Sequence, residues 1–193
     1  ADRLTEEGHE VSIFDIRESP YLQDNQKMII GDILDGKLVE LAVSGHDIVY
    51  HFAGIADIGE AHDKPAETIR INILGTNNIL NACKNNDIQR FIFASTAYVY
   101  SKSGSFYRYS KQACELLINT YNQIHNLSFT ILRYGSLYGP RATETNWINQ
   151  ILTQALTAGK ITRLGDGEEI REYVHVKDAA KLSVDILASN FNN

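Results

Sequence analysis

Cysteine is almost missing from this chain. Cys83 and Cys114 are the only two, and neither sits in a Cys-x-x-Cys or Cys/His spacing. That argues against a disulfide framework and a thiolate metal site, and leaves two buried, inert thiols. Histidine is no better arranged. His9, His46, His51, His62, His125 and His175 are scattered without ligand spacing such as His-x-x-x-His, so no metal is expected. The three prolines, Pro20, Pro65 and Pro140, fall at loop or helix-start positions and mark no linker. There is no run of five or six like charges, and the net charge of -6 is spread along the chain. Neither nucleic acid nor an anionic membrane surface therefore finds a basic footprint. No apolar stretch approaches the length that spans a bilayer, and Ala1-Asp2-Arg3-Leu4-Thr5-Glu6-Glu7 carries charge where a signal peptide needs an apolar run. The expected location is the cytoplasm.

What is present is enough apolar residue, 44% of 193, to bury one substantial core. Short runs rich in branched residues alternate with longer helical patterns, the signature of βαβ units and a parallel sheet. Strands are expected at Glu10 to Asp15, Lys27 to Ile30, Asp47 to Phe52, Arg90 to Ser95 and Ser128 to Arg133. Helices are expected near Lys37 to Val43, Pro65 to Asn85 and Phe106 to His125, where Ile71, Leu74, Thr76, Ile79, Leu80 and Cys83, then Ala113, Leu116, Leu117 and Tyr121, keep one face. Beyond Arg133 the pattern loosens, with a helix near Trp147 to Ala158, a turn at Gly165-Asp166-Gly167, and a last strand and helix. Residues 1–133 are expected to form the main domain, and 134–193 to begin a smaller substrate lobe.

The chemical signal is Tyr107-Arg108-Tyr109-Ser110-Lys111, a Tyr-x-x-x-Lys at the start of a helix. Spacing i, i+4 stacks the two side chains on one helical face. An ammonium close to a phenol favours the phenolate and brings its pKa down from about 10, as a general acid/base near neutral pH requires. With ten tyrosines in the chain the spacing can arise by chance. The strand Phe91-Ile92-Phe93-Ala94-Ser95-Thr96 upstream raises it, because an apolar parallel strand there ends in hydroxyls at the carboxyl edge where open α/β sheets bind ligands.

Together these residues resemble the extended short-chain dehydrogenase/reductase family, in its nucleotide-sugar epimerase and dehydratase branch. The resemblance implies a Rossmann-like, doubly wound parallel sheet that uses NAD, with Thr96, Tyr107 and Lys111 catalytic. It places Asp15, which closes Val11-Ser12-Ile13-Phe14-Asp15, on the adenosine ribose hydroxyls, where a carboxylate repels a 2′-phosphate and favours NAD over NADP. It places Asp32 and Ile33 at an adenine-contacting turn and Phe52, Ala53 and Gly54 at a turn where the backbone approaches the cofactor. Asn72 helps hold the active-site backbone and the cofactor, and Tyr134 joins Tyr107 and Lys111 among the cofactor contacts. Arg171 is implied for the substrate diphosphate, with Ser136 and Thr96 as further substrate contacts; the alternative for Arg171 is pairing with Glu168, Glu169 or Glu172. His175 reads as structural, and Asp178 as the start of the last helix. Two departures stand out. Gly135-Ser136 replaces an aromatic followed by Asn, and the loop 101–106 is shorter than in many relatives, which alters the pocket wall.

In that fold the opening helix, ended by Gly8, and the strand ending at Asp15 would be the first helix and second strand. The first strand and its Gly-rich phosphate turn are not in this sequence, so a preceding strand and Gly-x-x-Gly-x-x-Gly turn are expected in a longer polypeptide. Dehydratases of the branch carry Asp-Glu directly after the strand-end Thr, and this chain has Ala97-Tyr98. The resemblance then favours epimerisation at the sugar C4 by transient oxidation and reduction. A nucleotide-sugar dehydrogenase or reductase, or a catalytically silent NAD(H)-binding relative, stays open. The family also suggests a homodimer through helices 65–85 and 106–125.

Overall fold

Branched and aromatic residues build three groups of strands in a computed structural model that describes residues 1–162, 168, 170–188 and 191. The turn expected at Gly165-Asp166-Gly167 lies outside them, as does Glu169. Strands β1 (Val11–Asp15) and β2 (Gln26–Ile30) pair in parallel, with Phe14 opposite Ile29 and Asp15 opposite Ile30. Three more, β3 (Ile48–His51), β4 (Arg90–Thr96) and β5 (Phe129–Tyr134), lie in the order β3-β4-β5. β3 and β4 are parallel, His51 facing Phe93. Every residue of β4 except Ala94 is buried, as a central parallel strand covered on both faces must be. Among the described residues no strand stands between β1 and β3. The fold is Rossmann-like without its first strand.

Side-chain caps set where several helices begin. Asp35 accepts the backbone N–H groups of Lys37 and Leu38 and starts α2 (Gly36–Val43). Asp57 accepts from Glu60 and starts α3 (Ile58–Asp63), a helix that apolar periodicity did not reveal because it is only six residues long. The run 65–85 is not one plain helix. It divides into α4 (Pro65–Thr68), a π-helical turn at Ile69–Gly75 and α5 (Thr76–Asn85). Gly75 closes that widened turn because a Cβ there would lie 2.4 Å from Ile33 Cδ1. A short 3₁₀ turn, Ala97–Tyr100, leads from β4 toward α6 (Ser105–His125).

The core joins Ile79, Leu80 and Cys83 of α5 and Cys114 and Ile118 of α6 to Phe91 and Phe93 of β4. Both thiols are free and buried, and burial raises their pKa, that of Cys83 to about 12. They pack as small apolar groups.

The chain forms two compact units, Ala1–Arg133 with Ile186–Asn193, and Tyr134–Asp185. The last residues, expected with the smaller region, thus group with the larger one. The Arg90 guanidinium donates to the carbonyls of Ile186 and Leu187, and Thr130 donates to the Phe191 carbonyl. In the second unit β6 (Ser136–Tyr138) pairs in parallel with β7 (Tyr173–His175), accompanied by α7 (Trp147–Ala158) and α8 (Val176–Asp185). His175 Nδ1 accepts the Lys177 backbone N–H at 3.2 Å, and its ring meets Tyr138 edge-on. Asp178 lies in the first turn of α8. No helix among the described residues is long and apolar enough to cross a membrane.

Candidate active site

Helix α6 lays Tyr107 and Lys111 one turn apart on its inward face, where they are only 9% and 5% exposed. β4 delivers Thr96 beside them. The Thr96 hydroxyl accepts the Tyr98 backbone N–H at 3.2 Å, and the Thr96 side chain is near enough to Tyr107 to draw its pKa down. Lys111 Nζ donates to the Ala94 carbonyl at 2.8 Å and lies 4.6 Å from the Phe93 ring centre and 5.9 Å from that of Tyr107. Three residues predicted from spacing and strand-end position therefore form one cluster.

Their electrostatics differ from the expectation that Lys111 brings the Tyr107 pKa down. Burial pushes Tyr107 up, Thr96 opposes this, and the neighbouring Tyr98 adds to the rise. Burial also lowers Lys111, to about 8. Desolvation outweighs attraction because both groups sit in the same low-dielectric layer. Thr96 is the neighbour that draws Tyr107 toward its phenolate form.

A buried polar network holds this helix face. Asn72, in the π turn, accepts the Ile55 N–H at 2.8 Å and donates to the Ile55 carbonyl at 3.0 Å and to Ser110 Oγ at 2.9 Å. Ser110 in turn donates to the Tyr107 carbonyl. Thr76 and Cys114 both donate to the Asn72 carbonyl, at 2.5 and 3.2 Å, and His51 Nε2 meets Thr76 Oγ1 at 2.8 Å. The sequence did not show His51, Thr76, Ser110 and Cys114 as a network, although Ser110 and Cys114 continue the helical face of Tyr107.

The residues present fit NAD at the carboxyl ends of the first unit's strands. Asp15 is an exposed carboxylate at the end of β1, with Oδ1 accepting the Arg17 N–H, an acceptor suited to ribose hydroxyls. Lys111 has three N–H donors, and the Ala94 carbonyl takes one. Gly54 has a φ of +146°, and a Cβ there would lie 2.8 Å from Asn72 Oδ1, so the turn after β3 presents bare backbone beside half-buried Ala53 and exposed Phe52. Other expected contacts have structural duties. Asp32 accepts the Leu34 N–H. Ile33 packs its side chain in the core and gives its carbonyl to Asn78. Tyr134, Ser136 and Arg171 belong to the second unit. There the Tyr134 hydroxyl meets Ser183 Oγ at 2.5 Å, Ser136 pairs with Tyr173, and Arg171 is exposed ahead of β7. Gly135 fits closely, since a Cβ would lie 2.8 Å from the Glu172 carbonyl oxygen.

A Rossmann-like sheet whose hydroxyl-ended strand faces a Tyr-x-x-x-Lys helix places the chain in the extended short-chain dehydrogenase/reductase class, in a branch that is NAD-dependent. The chain belongs to the NAD dependent epimerase/dehydratase family, whose model matches residues 1–193. It is 31% identical to the UDP-N-acetyl-alpha-D-glucosaminuronate decarboxylase of Bacillus cytotoxicus, covering 100% of this chain and 68% of that one. It is 27% identical to the dTDP-glucose 4,6-dehydratase of Streptomyces niveus over 92% of this chain, spanning only 55% of the relative's length. The Thermus thermophilus UDP-glucose 4-epimerase, solved in complex with NAD, superposes with a TM-score of 0.85 at 26% identity, covering 97% of this chain and 70% of that one.

His51 is fully buried and its pKa falls to about 3, through burial first and the nearby Lys111 charge second. A lowered folded-state pKa means that its stabilising contribution is complete above the unfolded value of about 6.5 and is lost as pH falls toward 3. Urea unfolding should show stability falling below pH 6.5 by up to about 1.4 kcal/mol per pH unit from this group. His51→Gln should remove that part of the slope. Identical slopes for the two proteins would show that His51 is not held neutral.

Proposed function

We propose that this chain carries the active site of an NAD-dependent nucleotide-sugar epimerase that inverts the sugar C4, with Tyr107 as general acid/base. The observation that carries the proposal is the buried cluster of Thr96, Tyr107 and Lys111, with Lys111 Nζ 5.9 Å from the Tyr107 ring centre and anchored to the Ala94 carbonyl. Tyr107 takes the proton of a sugar hydroxyl while its carbon is oxidised, and returns it when the carbon is reduced on the other face. Thr96 holds the reacting oxygen and steadies the phenolate, and Lys111 offers its remaining N–H groups to the nicotinamide ribose. NAD, when bound, supplies the hydride acceptor and donor. Asp15 is assigned to the adenosine ribose, and Asp32, Ile33, Phe52, Ala53, Gly54, Asn72 and Tyr134 to positioning the cofactor. Arg171, a planar and permanently charged fork, suits the substrate diphosphate, with Ser136 as a second contact. Ala97-Tyr98 follows Thr96 where elimination of water would need a further acid and base, which favours epimerisation over dehydration.

The intact protein, incubated with NAD and UDP-glucose, should give an epimer without net NADH. Stoichiometric NADH would instead identify a dehydrogenase. Tyr107→Phe should lower turnover by at least about a thousandfold, within the range that general acid/base groups contribute, while NAD still binds. Retained turnover would refute the role given to Tyr107.

We also propose a homodimer through 65–85 and α6. Leu116 is 70% exposed, and Ala66, Ile69, Ile73, Leu74 and Leu117 line an open groove across these helices. Such apolar surface suits an interface. Light scattering should give twice the protomer mass, falling to one protomer for Leu116→Glu. A monomeric wild-type protein would overturn the dimer.

A further inference from the structure

Four residues outside the proposed catalytic cluster form a second ordered group around the same strand end. Glu115 lies one turn beyond Lys111 on α6 and is the shared acceptor. Its Oε1 takes the Ser95 hydroxyl at 2.5 Å and Arg133 Nε at 3.0 Å, and its Oε2 takes Arg133 NH2 at 2.7 Å. This two-bond fork fixes the plane of the guanidinium. The remaining nitrogen, NH1, donates to the Tyr100 hydroxyl, and the guanidinium carbon lies 4.9 Å from the Tyr100 ring centre. Tyr100 is otherwise 76% exposed and closes the 3₁₀ turn Ala97–Tyr100. A further bond, from Gln112 of α6 to the Val99 carbonyl at 2.8 Å, ties down the same turn.

The group has consequences for Tyr107. Ser95 immediately precedes Thr96, so its bond to Glu115 fixes the strand end that carries the Tyr107 partner. Tyr98, inside the tethered turn, packs against Tyr107 with Ile55 and Ala61. Only residues 101–104 join this turn to α6.

We propose that Glu115 is a positioning residue of the active site. Acting through Ser95, Arg133 and Tyr100, it holds both Thr96 and the Ala97–Tyr100 wall against the Tyr107 and Lys111 face of α6. The proposal rests on the functional reading above, and it adds a specificity device, because the clamped wall carries Tyr98 beside the reacting phenol. A loosened clamp frees the Ser95 strand end and lets Thr96, the neighbour that draws the Tyr107 pKa down, move away from the phenol. The rising limb of the pH profile should then move to higher pH. Among the described residues, Lys111 on α6 and Tyr98 in the wall are the ionisable groups beside Tyr107. Glu60, His62 and Asp63 of α3, which also packs on α6, are exposed.

The test compares kcat/KM against pH for the intact enzyme with NAD and UDP-glucose in wild type, Glu115→Gln, Arg133→Lys and Tyr107→Phe. Lys64→Gln, which breaks an exposed ion pair with Glu60, is the control. Glu115→Gln should lower kcat/KM about tenfold near neutral pH and shift the rising limb upward by half a unit or more. Arg133→Lys keeps the charge but not the fork, and should do the same, so the test survives if one variant folds poorly. Folded variants with an unmoved limb and full kcat/KM would overturn the positioning role. If Tyr107→Phe keeps wild-type turnover, the functional reading fails; if it is inactive while the Glu115 limb stays put, only the clamp fails.

Discussion

The buried amide of Asn72 is the interaction on which the rest of the site depends. It is 2% exposed, and both polar ends of its side chain are occupied. Through Ile55 it fixes the backbone that follows β3, and through Ser110 it fixes the first turns of α6. A buried amide cannot be left half satisfied, since each unmade bond costs about 1–3 kcal/mol. The register between the β3 edge and the catalytic helix is therefore narrow. The π-helical turn serves this arrangement, as the Asn72 carbonyl takes bonds from both Thr76 and Cys114. Such turns recur at functional sites.

Burial then sets the protonation states. The layer that holds Asn72 also holds His51, Tyr107 and Lys111, and in each case desolvation is the largest influence on the pKa. It favours neutral imidazole, neutral phenol and a lysine able to lose its proton. Thr96 draws Tyr107 toward phenolate, so the position of the β4 end bears directly on the phenol. The Glu115 clamp acts at that strand end.

Much of this was legible in the sequence for physical reasons. The apolar run of β4 marked a central parallel strand, its hydroxyl end marked the edge where ligands bind, and the i, i+4 spacing put Tyr107 and Lys111 together. The break in the sheet followed from a chain whose first helix is ended by Gly8 just ahead of β1. What stayed hidden was long-range. Arg133 meets Glu115 and Tyr100 only after folding, and no local spacing joins them. The Tyr107 pKa went the opposite way from the expectation because burial cannot be read from a charge four residues away. The π turn was invisible because periodicity over 65–85 tolerates one extra residue. The Tyr134 hydroxyl faces Ser183, a partner 49 residues on.

The central claim is that Thr96, Tyr107 and Lys111 run a transient oxidation at the sugar C4, and an isotope measures it directly. UDP-glucose deuterated at C4 should be converted, by the intact protein with NAD in ordinary water, to an epimer that keeps deuterium at C4. Loss of that deuterium to solvent, or its retention in a sugar never inverted at C4, would contradict the claim.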